Sequence, residues 1–241
     1  IQGGNTRQPA LVLGEVRTAN ARRVLEVGCG RGHCSLFLAG AAPDVVFKGV
    51  DAVQRHVDVA RCDAQLGSYT NVSFSPADMA ELNFRDETKY YDVIFGCEAL
   101  CHLDTETSVA SFVQSAGKLL KSKGRLVIID GFRSSTFGQC SKDYQTAMKL
   151  AESGFRIRAM PSKATWKLHC ETEGFNLVKD INLTHEVLPF WTLGWRVARG
   201  ALLFPYLIQF LLRSSPARKE TISNLLSVSM TAHAMKGGTA E

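Results

Sequence analysis

A strand-like apolar run followed by a glycine-rich loop constrains this chain more than any other feature. Residues 23–27 are mostly apolar and typical of a buried strand, and residues 33–41 have helical character. Between them lie three alternating glycines: Gly28, Gly30 and Gly32. Glycines let a ligand approach the backbone closely, and the start of a helix offers free N–H groups. A strand, a glycine turn and a helix in this order predict a site for a nucleotide-like cofactor.

The spacing of the glycines separates two cofactor classes. The dinucleotide fingerprint G-x-G-x-x-G needs a glycine at the position that His33 occupies here. The glycines alternate instead, and the acid Glu26 precedes them. This E-x-G-x-G-x-G pattern resembles the first motif of class I methyltransferases that use S-adenosyl-L-methionine (SAM). An acid near the loop can hold the ammonium of SAM, while backbone amides approach the rest. The resemblance assigns the whole loop, Cys29 included, to SAM.

Two further acids stand where that family binds SAM. Asp51 ends the second strand-like run, and a carboxylate there can accept hydrogen bonds from both ribose hydroxyls. Asp78 and Met79 follow the third run, where the resemblance implies an acceptor for the adenine amino group and a residue packed on the ring. Taken singly, Asp51 and Asp78 can also be helix N-caps. Their order and spacing after the glycine loop favour SAM.

Strand-like and helical stretches alternate along the first half of the chain. Strands are predicted at residues 23–27, 45–50, 71–74, 91–96 and 125–129. Helices are predicted at residues 10–18, 33–41, 53–66, 105–120, 141–153 and 162–173. The alternation predicts an α/β fold, Rossmann-like and doubly wound, with a mostly parallel sheet and helices on both faces. A sixth strand is predicted at 175–183, and the seventh strand of the family is expected beyond Glu241.

The segment after the fourth strand carries the candidate catalytic groups. Residues 95–103 resemble the E-[AS]-x-x-H segment of the small-molecule branch that includes tocopherol, sterol and sugar O-methyltransferases. The resemblance implies that Glu98 and Cys97 border the cofactor, that His102 is a general base, and that Asp130 lines the same pocket. A neutral histidine suits a hydroxyl acceptor, whereas Glu98 and Asp130 suit a cation formed on an alkene carbon. Alternatively, His102 caps or packs, Asp130 holds a turn, and Cys97 only packs.

These features predict transfer of a methyl group from SAM, by in-line displacement, to a small lipophilic acceptor such as an isoprenoid, sterol, quinol or alkaloid. Oxygen, nitrogen and carbon acceptors all stay open. Two alternatives are a nicotinamide-dependent oxidoreductase and a non-catalytic SAM-fold scaffold that binds a membrane or a partner. We expect one methyltransferase domain, with residues 22–132 as the SAM-binding core and 133–241 as the acceptor side.

A late apolar segment, residues 187–212, is rich in Trp, Phe and Leu. Its longest uncharged run, 200–212, is shorter than the roughly 20 residues that span a bilayer, and Pro205 interrupts it. The segment predicts an apolar helical insert: a lid over a lipophilic acceptor, an interfacial helix on a membrane, or a core or dimer contact.

The composition excludes several other classes. A net charge of +5 without a dense basic stripe predicts no nucleic-acid partner. Seven scattered cysteines, without a C-x-x-C pair of zinc spacing, predict neither a disulfide framework nor a metal site. We therefore expect a cytoplasmic or organellar compartment, with peripheral membrane contact as the alternative for residues 187–212. The oligomeric state stays open. Because the chain starts at Ile1, further residues are expected before it.

Overall fold

The computed structural model describes residues 7–186, apart from 83 and 85, together with residue 196. The strands are β1 (Arg23–Val27), β2 (Val46–Asp51), β3 (Val72–Pro76), β4 (Tyr91–Cys97) and β5 (Leu120–Ile129). The helices are α1 (Arg7–Thr18), α2 (His33–Ala41), α3 (Gln54–Leu66), α4 (Glu106–Leu119), α5 (Lys142–Gly154) and α6 (Lys163–Thr172). The six predicted helices and the first five predicted strands are confirmed. The largest difference is in β5, which begins five residues early, directly after α4.

The five strands form one sheet in the order β3-β2-β1-β4-β5, and every neighbouring pair is parallel. The strand order changes direction at β1, which pairs with β2 on one side and with β4 on the other. Ligands of open α/β sheets bind beside such a switch, at the carboxyl ends of the strands. The glycine loop follows β1 at this point. The predicted Rossmann-like class is confirmed.

One face of the sheet packs against α1 and α2. Val24, Phe47 and Phe95 are fully buried on that face. They belong to one apolar cluster with Val12 of α1 and Leu38 of α2. Each fully buried side chain of this size stabilises the fold by about 1.5–3 kcal/mol. The strand and the helix that flank the glycine loop are therefore fixed by the core, and the loop between them is held at both ends.

The opposite face of the sheet is buried as well. Leu25 and Ile94 alternate with the residues of the first cluster and are fully buried. Helix α4 contacts β5 and buries Phe112 on its apolar side. A capping box between Thr105 and Ser108 begins α4, because each side chain bonds the backbone N–H of the other residue. Helices on both faces are as predicted.

The predicted sixth strand at 175–183 is wrong, since the described part of the chain contains no strand after β5. Helix α6 is followed by Gly174, whose φ of 80° turns the chain. Leu177 and Val178 are then 63% and 83% exposed. A strand needs a neighbour that supplies backbone hydrogen bonds, and no described residue pairs with this stretch. Its apolar and β-branched composition alone was therefore misleading.

The chain divides into two compact units. One runs through Gly131 and includes residues 168–175, and the other begins at Phe132. The division into a SAM-binding core and an acceptor side stays a prediction. Apart from Arg196, the apolar segment 187–212 lies outside the described residues. Within the described part of the chain, no helix is both long and apolar enough to cross a membrane.

Candidate cofactor and acceptor site

The glycine loop folds back onto the end of β2. Its three glycines have φ angles of 65°, 52° and 80°, at Gly28, Gly30 and Gly32 respectively. Other residues rarely adopt this left-handed conformation. The N–H of Cys29 donates to a carbonyl oxygen of β2 at 2.9 Å. The N–H of Gly30 donates to Oδ2 of Asp51 at 2.8 Å. The loop and the predicted ribose acid are thus joined directly.

The three glycines meet different surroundings. A Cβ on Gly28 would lie 2.3 Å from the Cβ of Ala99, and one on Gly32 would lie 2.7 Å from the ring of Phe74. Packing therefore requires glycine at both positions. A Cβ on Gly30 would meet nothing within 4 Å. The middle of the loop is an open cradle that a side chain would fill, as expected where a ligand approaches the backbone.

Glu26 lies beneath the loop and is only 3% exposed. The backbone N–H and the hydroxyl of Ser35 both donate to its Oε2, at 3.1 and 2.5 Å. Burial raises the pKa of Glu26 to about 7, although the two bonds from Ser35 oppose the shift. Ser35 was not among the residues predicted from the sequence. Its position in the first turn of α2 was the available signal, because a hydroxyl there can face the preceding strand.

Asp51 connects three elements through its carboxylate. Besides the Gly30 contact, Oδ1 accepts from the N–H of Val53 at 2.9 Å and lies 3.3 Å from Nδ1 of His56. The N-cap of α3 is Val53, so Asp51 is not the N-cap that the alternative interpretation assumed. His56 was missed as well, although its place five residues after Asp51, in the first turn of α3, could have indicated it.

Asp78 is a helix N-cap, which was the alternative interpretation of this residue. It is the N-cap of a short 3-10 helix, residues 79–81, and its Oδ1 accepts from the N–H of Ala80 at 2.8 Å. The adjacent Met79 places its Cε 3.8 Å from the point that a Cβ on Gly28 would occupy. The Asp78–Met79 pair therefore lies beside the glycine loop. The structure brings together the predicted cofactor residues that follow β1, β2 and β3.

Glu98 stands at the carboxyl end of β4 in a strained conformation. Its φ is 51°, in the left-handed region that glutamate rarely adopts. The backbone N–H of Glu98 donates to the carbonyl of Ile129 in β5 at 2.8 Å. Its Oε1 accepts from Nε2 of Gln8 in α1 at 2.6 Å. Strained residues cluster at functional sites. No local signal indicated Gln8, which is 90 residues away in sequence.

Asp130 holds the turn that carries His102. Its Oδ2 accepts from the backbone N–H of Cys101 at 3.0 Å, and its Oδ1 accepts from that of Gly131 at 2.8 Å. Burial raises the pKa of Asp130, and these backbone bonds oppose the shift. His102 ends the 3-10 turn and is exposed. Among the described contacts, its side chain makes no hydrogen bond to Asp130 or Glu98. Asp130 therefore acts on His102 through the backbone.

The thiols near the loop are packing residues. Cys97 and Cys34 hydrogen-bond through their side chains and pack against the core on one face of the sheet. That bond and burial raise the pKa of the Cys34 thiol, and burial raises the pKa of the Cys29 thiol. Protonated thiols are weak nucleophiles. Cys29 and Cys97 can border a cofactor, but the surroundings of Cys29 do not favour a reactive thiolate.

Comparison with known proteins decides the family. The family described as "Methyltransferase domain" matches residues 19–181, which is more than half of the chain. The chain belongs to this family. SAM is the cofactor, as the glycine loop predicted, and a nicotinamide-dependent oxidoreductase is not favoured.

Individual relatives agree with this assignment. The methyltransferase domain is 26% identical over 213 residues to the S-adenosyl-L-methionine-dependent Diels-Alderase of Talaromyces variabilis, covering 86% of this chain and 69% of the relative. It is 27% identical over 175 residues to an O-methyltransferase from Aspergillus nomiae, covering 72% of each. Geranyl diphosphate C-methyltransferase from Streptomyces coelicolor A3(2) shares the fold, with a TM-score of 0.63 and 16% identity over 92% of this chain and 77% of that one. The chain spans only 39–53% of four further curated relatives.

The residues of the methyltransferase domain fit SAM. The cradle at Gly30 leaves room for a ligand against the backbone. Among the described residues, no basic side chain pairs with Glu26, and both of its hydrogen bonds end on Oε2. Its Oε1 is thus suited to an ammonium group, which would offset the cost of burying a carboxylate.

Proposed function

We propose that this methyltransferase domain transfers the methyl group of SAM to a small lipophilic acceptor. The arrangement around the glycine loop carries the proposal: an open backbone at Gly30, bonded to Asp51, above the buried acid Glu26. In this proposal Glu26 binds the ammonium of SAM, and Asp51 accepts from the ribose. Asp78 accepts from the adenine amino group through Oδ2, since its capping bond uses Oδ1.

The remaining cofactor residues shape the site without ionic contacts. In this proposal Met79 packs on the adenine ring beside Gly28. Cys29 and Cys97 line the cofactor as small side chains. Gly28 and Gly32 keep the loop in its left-handed conformation, and their contacts with Ala99 and Phe74 fix its position.

Bound SAM supplies an electrophilic methyl group on a sulfonium. The protein has to align the acceptor with this group and exclude water. His102 takes the proton when the acceptor is a hydroxyl, because a neutral imidazole can act as a general base. Asp130 is a positioning residue that fixes the turn under His102. Glu98 borders the acceptor and is held by Gln8, which keeps its carboxylate at the edge of β4.

Three observations support a small lipophilic acceptor. Relatives carry names of small-molecule enzymes, including O-methyltransferases and a ubiquinone biosynthesis O-methyltransferase. Geranyl diphosphate C-methyltransferases share the fold. The sequence of residues 187–212 is rich in aromatic and aliphatic residues, a composition that suits a lipophilic acceptor. A non-catalytic scaffold is disfavoured because it would not need an open cofactor cradle.

Transfer of labelled methyl from SAM tests this function. The protein is incubated with methyl-labelled SAM and a panel of lipophilic hydroxyl, amine and alkene compounds, and products are identified by mass spectrometry. His102→Ala should slow turnover of a hydroxyl acceptor without weakening S-adenosylhomocysteine binding. Asp51→Ala should lose that binding. A histidine variant that loses cofactor affinity would count against the role of a general base.

A second candidate function is cyclisation with SAM bound but not consumed. The observation that favours it is the similarity to the Diels-Alderase across 86% of this chain. Mass spectrometry separates the two functions, because a cyclised product keeps the mass of its substrate. A methylated product gains one methyl group and is formed together with S-adenosylhomocysteine.

A further inference from the structure

A cleft of about 440 Å³ lies within the unit that begins at Phe132. Its polar lining consists of three basic side chains and two hydroxyls: Arg133, Lys163, Lys167, Ser134 and Ser135. Among the described residues, its lining includes none of the side chains that were individually predicted to bind SAM or to act on the acceptor, although it belongs to the predicted acceptor side, residues 133–241. We propose that this cleft binds the phosphate or diphosphate group of a small molecule, with Arg133 as its main anchor.

Arg133 is held on three sides. Its Nε donates to Oε1 of Glu152 at 3.0 Å, and its Nη2 donates to Oε2 of the same carboxylate. Its guanidinium carbon lies 4.4 Å from the centroid of the Phe137 ring. Its backbone N–H donates to the carbonyl of Pro161 at 3.2 Å. Glu152 is itself only 1% exposed and also accepts from the N–H of Met160 at 2.9 Å. The guanidinium is therefore fixed before any ligand binds.

The pairing with Glu152 leaves one edge of the guanidinium for a ligand. Glu152 occupies the edge formed by Nε and Nη2, whereas a guanidinium has five N–H donors. The N–H groups of Nη1 and the second N–H of Nη2 form another fork. The side chain of Arg133 is 21% exposed and lines the cleft. Such a planar fork matches two oxygens of a phosphate, and a donor that is already fixed loses little entropy on binding.

Helix α6 adds positive charge to the same cleft. Lys163 and Lys167 are four residues apart, so they share one face of the helix. The first turn of α6 has no acidic residue, although acids are favoured at a helix N-terminus. Lys163, which lies in that first turn, is placed unfavourably in the field of the helix dipole. A bound anion offsets this effect and is attracted by the same dipole.

Two of these cations pair with carboxylates. Glu152 pairs with Arg133 from its buried side, and Asp180 pairs with Lys163. Lys163 and Asp180 are both exposed, and such surface pairs contribute about 0–1 kcal/mol. A phosphate can therefore displace Asp180 from Lys163 at little cost.

Calorimetric titration of the full chain with inorganic pyrophosphate tests the cleft, in low salt and without SAM. We expect saturable binding to one site. Arg133→Lys keeps a cation beside Glu152 but lacks the second fork, so affinity should fall about tenfold or more. Lys167→Met should lower affinity to a similar extent. Lys149→Met is the matched control, because this exposed lysine on α5 lies outside the cleft and its loss changes the net charge equally.

Two results would overturn the proposal. One is the absence of saturable binding to the wild-type chain at millimolar pyrophosphate. The other is an equal loss in Lys149→Met and Lys167→Met, which would indicate general charge attraction only. An alkyl diphosphate monoester, titrated in parallel, identifies the source of the group: a substrate is indicated when it binds at least as tightly as pyrophosphate, and a free anion when it binds more weakly. The measurement does not depend on methyl transfer, so the two proposals fail separately.

Discussion

The hydroxyl of Ser35 lies 2.5 Å from Oε2 of Glu26, in a part of the core that water hardly reaches. This contact joins the first turn of α2 to the last residues of β1, across the glycine loop. Burial favours the neutral form of Glu26, while Ser35 favours the charged form, and the resulting pKa is about 7 rather than the ordinary 4.5. In the proposed site, where Glu26 binds the ammonium of SAM, the protonation of this acid should therefore control cofactor binding near neutral pH.

SAM affinity should depend on pH through Glu26. The ammonium of SAM prefers the carboxylate, so binding at low pH requires loss of a proton from an acid whose pKa is about 7. Affinity should rise by up to about tenfold per pH unit toward pH 7 and level off above it. Titration calorimetry between pH 5 and 8.5 measures this. Glu26→Gln should bind weakly at every pH, and 5′-methylthioadenosine, which lacks the amino-acid portion, should show no such slope.

In the protein without SAM, the raised pKa of Glu26 should make the fold less stable as the pH rises. Because folding raises the pKa of Glu26, its contribution to stability is fully present below pH 4.5 and is lost as the pH rises through about 7. Chemical unfolding at pH 5 and pH 8, compared between wild type and Glu26→Gln, isolates this contribution. Between pH 5 and pH 8, the free energy of unfolding of the wild type should fall relative to that of Glu26→Gln. An unchanged difference would mean that the acid is not buried as described.

Ser35→Ala should raise the pKa of Glu26 and, with it, the pH at which SAM affinity levels off. The substitution removes the hydroxyl bond that lowers the pKa of Glu26 and leaves the backbone bond in place. SAM affinity should then level off above pH 7, and stability should fall by about 1–3 kcal/mol. Ser73→Ala, on an exposed position of β3, should change neither quantity. If Ser35→Ala leaves the pH dependence of SAM affinity unchanged, Glu26 is not the group that causes this dependence.

Alanine at two positions of the glycine loop should have distinct effects. Gly28→Ala would force a Cβ against Ala99 and should cost roughly 2–5 kcal/mol, from overpacking and from the left-handed backbone. Gly30→Ala meets open space, so only the backbone cost of roughly 1–2 kcal/mol applies. Its methyl group would fill the cradle, and S-adenosylhomocysteine should bind more weakly. Thermal melts with and without this ligand distinguish the two effects.

Asp130→Asn should lower turnover more than cofactor affinity. The amide retains only one acceptor oxygen where the carboxylate accepts two backbone N–H bonds, so the turn that carries His102 should loosen. We expect a fall in kcat for a hydroxyl acceptor, with the Kd of S-adenosylhomocysteine changed by less than about twofold. Rescue of kcat by weak external bases such as imidazole would indicate that His102 is misplaced. A large loss of cofactor affinity would instead place Asp130 in the cofactor site.

Much of the fold follows from periodic signals in the sequence. Strand β1, the glycine loop and α2 were predicted with their observed boundaries, because an apolar run ends there at residues with special φ angles. The stretch at 175–183 failed because a strand also depends on a neighbour, which composition does not reveal. β5 begins earlier than predicted because of its neighbour: Leu120 pairs with Tyr91 of β4, across a register shift that the sequence does not reveal.

In the candidate site, too, local features could be predicted from the sequence, whereas contacts between distant elements could not. Acids at strand ends could be located from sequence, because the carboxyl edge of a parallel sheet gathers them. Partners from distant elements could not, and Gln8 with Glu98 is the clearest case. Nor could sequence show that Asp130 acts through the backbone of Cys101, since that contact depends on the path of a 3-10 turn.

We infer that this chain binds SAM on the glycine loop and transfers its methyl group. The most direct measurement quantifies S-adenosylhomocysteine and methylated product together, in the presence of a lipophilic acceptor. The wild type should form equal amounts of both products, and Asp51→Ala should form neither. An acceptor that is converted without gain of a methyl group, while SAM stays intact, would contradict this inference.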